Sequence, residues 1–420
     1  MQTKTALSSS RQTLSRWAIM PLLIAALSAP VQAAQLTTLV DFNGSNGQVP
    51  FSELVSDASG NLYGTTSQGG TSNIGTAFRL SPPTAGQSQW TLTTLANFNP
   101  TSGGSPLAAL VKDVSGNLYG TTSQGGAKNW GAVFKLSPPA AGQSQWTLAT
   151  LVNFGFSNGA DPMGGLVRDT SGNLYGTTAQ GGANAWGTAF KVSPPAVGKT
   201  KWTLTTLTTF NIQNGGSPMA GLIMDASGNL YGTTITGGSN SSGSGTVFRL
   251  SPPAAGKTKW TRTTLATFNG TNGAVPAGKL LLDASGNLYG TTTTGTISGL
   301  GTVFKLSSPA AGQTRWKLTT LTTFNGTNGG TPTAGLVKDT SGNLYGTTSG
   351  QRTTSLGTVF KLSPPVAGQT KWTLTTLVGF NDTDGRMPTA GLMRDTAGNL
   401  YGTTTAGGAY GFGTVFKVSP

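Results

Sequence analysis

Histidine and cysteine are both absent from this chain of 420 residues. The commonest general base, the commonest metal ligand and every thiolate are therefore missing. Carboxylates remain, twelve in all, and they divide sharply. Asp57, Asp113, Asp169, Asp225, Asp283, Asp339 and Asp395 each stand before the same Gly-Asn-Leu-Tyr string. A carboxylate there accepts hydrogen bonds from the N–H groups of a following turn, which is a structural role. The spare acids are Asp41, Glu53, Asp161, Asp382 and Asp384. Paired-carboxylate hydrolysis needs two acids facing each other across a defined gap. Only Asp382 and Asp384 lie close in sequence, in Asn381-Asp-Thr-Asp-Gly385. That run is similar to the start of a calcium loop but lacks the distal acidic ligand. The two aspartates are weak metal candidates, and an Asx turn is the better reading. Gly-Lys-Thr occurs at 198–200 and 256–258, but Ser193 and Ser251 stand where a phosphate-binding loop needs glycine, and strand residues follow. Serine has no histidine to activate it. No catalytic residue, metal or cofactor is expected.

The cations are patterned too, within a formal net charge of +14. Arg79, Lys135, Lys191, Arg249, Lys305, Lys361 and Lys417 each follow a phenylalanine at one repeated position. Two readings stand. Each cation reaches the repeat aspartate across an intervening strand, or the ring of charge attracts a polyanion. Nucleic acid is not expected as a partner, because this charge is spread evenly and not clustered with exposed aromatics. One aromatic position varies. The residue before a repeated Gly-Thr-Val-Phe is Ile74, Trp130, Trp186, Ser244, Leu300, Leu356 or Phe412, with Tyr410 beside the last. Aromatic faces stack on sugar rings and anchor protein partners. Ile74, Trp130, Trp186, Tyr410 and Phe412 are therefore the candidate binding residues. The alternative is an apolar plug closing each loop.

These positions are set by a repeat. Gly-Asn-Leu-Tyr-Gly-Thr-Thr occurs seven times, with tyrosines at 63, 119, 175, 231, 289, 345 and 401, at intervals of 56 with one of 58. Each unit holds four strand-like pieces: 334–339, 343–348, 357–362 and 372–380 in one copy. They are rich in Thr, Val, Phe, Tyr and Trp and bounded by Gly, Pro, Asn and Ser. No helical period interrupts them. Four short strands per unit, repeated, predict a β-propeller blade, and seven units predict seven blades. Ala34-Gln-Leu-Thr-Thr-Leu-Val-Asp-Phe42 matches the fourth piece, 90–98, without its first three; Gly413–Val418 is a third piece with no fourth after it. Strand 34–42 is therefore expected to complete the last blade and close the ring, leaving no open edge. The blades run 43–98, 99–154, 155–210, 211–268, 269–324, 325–380, and 381–420 with 34–42, in a single domain over 34–420.

The run Asp-x-Ser-Gly-Asn-Leu-Tyr-Gly-Thr-Thr-x-x-Gly-Gly followed by Gly-Thr-Val-Phe-Lys-Leu resembles the GloVer tandem repeat. That repeat marks the choice-of-anchor tandem repeat GloVer-containing family of bacterial exported proteins. The resemblance covers essentially the whole of 34–420, implies an exported repeat protein, and brings no catalytic residues with it. Such proteins often end in a sorting or anchoring tail. This sequence stops at Pro420, so a freely secreted or periplasmic protein is expected.

The N-terminus agrees. A basic segment over 1–16 leads into apolar Trp17–Leu27, and Val31 and Ala33 suit a peptidase, so residues 1–33 read as a signal peptide. The expected product is a monomer with no membrane span. Its expected role is that of a non-enzymatic binding module for a glycan or a surface protein. A secreted lyase or hydrolase of such polymers, or a structural envelope protein, is the alternative.

Overall fold

The computed structural model describes residues 33–420, apart from 239–242, 297, 311 and 351–354, together with Met1 and Gln2. The leader assigned to 1–33 lies outside the described residues except at its ends. Ala34–Pro420 form one compact unit.

That unit is a seven-bladed β-propeller of four-stranded antiparallel sheets. In blade 1 the strands are Val55–Ser56, Leu62–Thr66, Thr76–Ser81 and Thr91–Asn97, paired in that order. The ring closes as the sequence predicts. Gln35–Asp41 pairs with Thr414–Ser419, from Gln35 opposite Ser419 to Asp41 opposite Thr414. The innermost strands are shorter than predicted: only Val337–Lys338 pairs in the segment 334–339. The chain before it turns its small residues, such as Ala334 and Gly335, to a central channel and not to a neighbouring strand. The loop of blade 3 adds a single 3₁₀ turn, Phe156–Asn158.

The repeat string explains the packing. The second strand is buried along its length, and its glycine is required by a ring. A Cβ on Gly64 would stand 2.6 Å from Phe78 Cζ, directly across the strand pair. The first threonine ties blades together, since Thr65 Oγ1 donates to Pro106 O and Thr403 Oγ1 to Ser52 O across the closure. The second ties its own blade, with Thr66 Oγ1 and Thr76 Oγ1 2.9 Å apart. Hydrophobic cores therefore lie between blades. Phe98 meets Phe134 edge-on at 5.0 Å, and the closing pair Phe42–Phe78 repeats this at 5.2 Å. The indole that opens a fourth strand packs on the tyrosine of the preceding blade, as Trp146 does on Tyr63 and Trp90 on Tyr401.

Strand polarity sorts the loops onto two faces. Inter-blade loops and second-to-third loops share one face, joined by pairs such as Gln48 opposite Gln68 and the Val49 N–H donating to Phe412 O. The two tight turns share the other face, with Pro82 3.6 Å from a Cβ placed on Gly60.

Candidate functional site

The turn face carries the repeat aspartates. In blade 1, Asp57 Oδ1 accepts from the backbone N–H groups of Ser59 and Asn61. Its Oδ2 accepts from Asn61 Nδ2 at 2.8 Å and from the Tyr63 hydroxyl at 2.9 Å. All seven blades make the Asn and Tyr bonds. Burial alone would raise these carboxyls, but the donated hydrogen bonds outweigh it and hold Asp57 below its usual range. Burial, then the carboxylate beside it, pushes the Tyr63 phenol up to about 12. Each aspartate is a turn lock whose lone pairs are already engaged.

The third-strand cations do not reach these aspartates, contrary to that reading of the sequence. Among the described residues the ion pair is Arg386 with Asp382, at 3.2 Å. Lys135 instead holds Nζ 6.0 Å from the centre of the Tyr119 ring, and Lys305 stands 5.7 Å from Tyr289. Register is the reason: Lys135 is directly opposite Tyr119, so the ring fills the path toward Asp113.

Asp382 and Asp384 also have partners. Asp382 holds Arg386, and Asp384 Oδ1 accepts the Asn381 N–H at 2.9 Å, the bond made by Asn46 and Asn272 in other blades. Among the described residues no three His, Cys, Asp or Glu side chains gather as a metal site would require.

The loop face carries the aromatic candidates. Trp130 and Trp186 are 40% and 38% exposed, Phe412 38% and Tyr410 61%, while Ile74 is half-buried. Each rim side chain leans on the next blade's loop. Ile74 covers Gly104, whose Cβ would sit 3.1 Å away. Trp186 lies over Gly216, 2.9 Å from the same construction, and Phe412 over Gly44 at 3.6 Å. The rim position is thus a plug on one face and open on the other.

Sequence reasoning missed several neighbours. Phe156 pairs with Trp130, ring centres 5.1 Å apart, and is itself exposed. Asp161, in the same loop, donates its N–H to Trp130 O. Burial raises the Asp161 carboxyl, with the Gln180 side chain opposing. Its counterparts in other blades are Val49, Ser105, Ser217, Val275, Thr331 and Met387, all at positive φ before proline. At the channel mouth the residue after that proline is Phe51, Leu107, Met163 or Met219 on blades 1 to 4, but Ala277, Thr333 or Thr389 on blades 5 to 7. Aligning the chain on its 56-residue period exposes both series. The channel, about 890 Å³, is lined mostly by Gly and Ala at the next ring inward, where Glu53 and Lys279 are the exceptions.

A half-open indole beside a second exposed ring can hold a flat apolar ring face. Fold and surface define a closed β-propeller with one aromatic sector on its loop face. Residues 27–149, 141–316 and 309–420 match the Gloeobacter/Verrucomicrobia repeat, and the chain belongs to that repeat family. No curated protein matches the chain. Among solved structures it is similar to a protein of unknown function from Dyadobacter fermentans, with 8% identity over 92% of this chain and 99% of that one, TM-score 0.46. A luciferin-regenerating enzyme is 14% identical over 92% and 95%, TM-score 0.43. The extracellular domain of a protein assigned as a one-component system of B. thetaiotaomicron is 14% identical, TM-score 0.48, over 92% of this chain and 42% of that one. Among the described residues no helix is long and apolar enough to cross a membrane.

Proposed function

We propose that this chain is an exported, non-enzymatic binding module. It takes a glycan or another surface macromolecule on the sector of the loop face that runs from blade 7 through blades 1 and 2 to blade 3. The leader over 1–33 directs export, and the single domain over 34–420 acts as a monomer. One observation carries the reading: Trp130 and Trp186 stay open to solvent on adjacent blades although the second-strand tyrosines and third-strand phenylalanines of every blade are buried. A framework of strands that is nearly identical in every blade, with loops that vary, is how a scaffold carries a site. Trp130 and Phe156 form the platform, and Asp161 lies in the same loop, its N–H held by Trp130 O.

A glycan array and a pull-down from envelope extract, each run with the parent and with W130A/W186A, test this. The expected result is a bound glycan or protein that the double variant loses by about a hundredfold, the loss of two aromatic anchors. Binding that the double variant retains in full overturns the assignment to this sector. Hydrolysis or elimination of a polymer, abolished by one acidic substitution, overturns the non-enzymatic reading.

A further inference from the structure

The turn face is not evenly charged. The turn between third and fourth strands reads Gly-Gln-Ser-Gln-Trp in blades 1 and 2, at 86–90 and 142–146. In blade 3 it carries Lys199 and Lys201, in blade 4 Lys257 and Lys259, in blade 5 Arg315 with Lys317 beside it, and in blade 6 Lys371. All seven of these cations are exposed. The neutral turns of blades 1 and 2 fold onto the same neighbours, since Pro138 and Pro194 each lie 3.8 Å from a Cβ placed on the glycine of the adjoining turn. The fold therefore does not require the lysines. Nor does the fold neutralise them: this face brings one aspartate per blade, and those carboxylates are occupied by Asn and Tyr.

Two further features narrow the partner. The turns of blades 3 and 6 end in an exposed valine, with Val197 fully exposed and Val366 exposed at 66%. The tryptophans that follow the cations are turned away, half-buried on the tyrosines of preceding blades, as Trp202 is on Tyr119 and Trp260 on Tyr175. Rings turned inward give nucleotide bases nothing to stack on. Equivalent turns on four consecutive blades lie on one face, so a flat surface meets them together, whereas a single polymer chain has to follow their arc. Lysines around a short apolar tip are the chemistry of adhesion to an anionic bilayer: headgroups draw the cations and the tip enters the interface.

We infer that the turn face of blades 3 to 6 docks the protein on an anionic phospholipid surface. The aromatic sector, on the opposite face, then points away from the bilayer.

The test uses protein exported and purified from expression of the full chain. It is sedimented with phosphatidylcholine vesicles, with and without phosphatidylglycerol. The variant K199Q/K201Q/K257Q/K259Q installs the glutamines that blades 1 and 2 carry, so it is expected to melt with the parent. Lys135→Gln, in blade 2, is the control. The expected result is binding only to vesicles with phosphatidylglycerol, lost in high salt. The fourfold variant is expected to weaken it by tenfold or more and the control to leave it unchanged, since each lysine near the surface contributes about one charge's worth of attraction. No binding to phosphatidylglycerol vesicles at low salt overturns the inference, as does a folded fourfold variant that binds like the parent. Retention on a polyuronate or DNA column without vesicle binding also overturns it and assigns the face to a soluble polyanion.

Discussion

Tyr63 and Ile74 belong to the same blade and obey opposite rules. The Tyr63 position is tyrosine in all seven blades, buried, and bonded to the aspartate of its own turn. The Ile74 position takes five residue types and leaves its largest members half-open. Uniformity marks where geometry is fixed, because each tyrosine also packs against the next blade and must present the same shape. Variation marks where the next blade asks only for cover. Trp130 and Trp186 exceed that need, and the excess is the surface available for binding. One junction relaxes even the first rule. The closing strand has Ala34 where other fourth strands have tryptophan, so Tyr345 meets Ala34 and Leu36 in place of an indole.

Breaking the framework is expected to have the largest effect. Deleting 34–42 removes Phe42 and the outer strand of blade 7, leaving Thr414–Ser419 as an unpaired edge and Phe78 without its partner. The product is expected to aggregate or to be cut rapidly by protease. A soluble deletion variant melting within a few degrees of the parent, by calorimetry, contradicts closure by this strand. Next comes Phe190→Ala, which empties a fully buried ring position between blades 2 and 3. It is expected to cost about 3–5 kcal/mol in denaturant titration.

Both expectations rest on features legible in the sequence. The seven units, the strand order and the split blade follow from the spacing of one string and from the two ends of the chain. The tyrosine–aspartate bond was less accessible, because period alone does not say which side chain fills the gap between strands. For the same reason one of the two readings of the third-strand cations pairs them with the aspartates, when facing tyrosine rings such as Tyr119 stand in the way. At the rim, residue types named Trp130 and Trp186, but Phe156 and Asp161 lie in a loop whose path only the fold reveals. Asp161 looked like a leftover acid because no local pattern links it to Trp130.

The turn locks predict a pH window of intermediate effect. Their aspartates are held below the usual range, so the stability they add is present at neutral pH and lost as pH falls through their folded pKa values. The tyrosines carry the opposite sign. Tyr231 is pushed up to about 12 from 10.0, so its contribution is intact below pH 10 and lost as pH rises toward 12. Melting temperature against pH is expected to fall at both ends. Asp225→Ala is expected to cost about 1–3 kcal/mol at pH 7 and to flatten part of the acid fall. A variant whose acid fall matches the parent's removes the turn lock as its cause.

The smallest effect on stability is expected at the rim, where the contrast between the two positions is sharpest. Trp130→Ala and Trp186→Ala remove side chains with one face already in water, so each is expected to cost about 1 kcal/mol or less, within the range of surface substitutions. Leu300→Ala, at the same position on blade 5, removes a partly buried plug over Gly326 and Gly330 and is expected to cost at least as much. Binding should sort them the other way. The tryptophan variants lose the ligand found by the screen, and Leu300→Ala keeps it. Comparing the three by thermal melt and by affinity separates plug from platform. If Leu300→Ala and Trp130→Ala lose affinity in proportion to lost stability, the rim position is only a plug, and the uniform rule that governs Tyr63 extends to the whole blade.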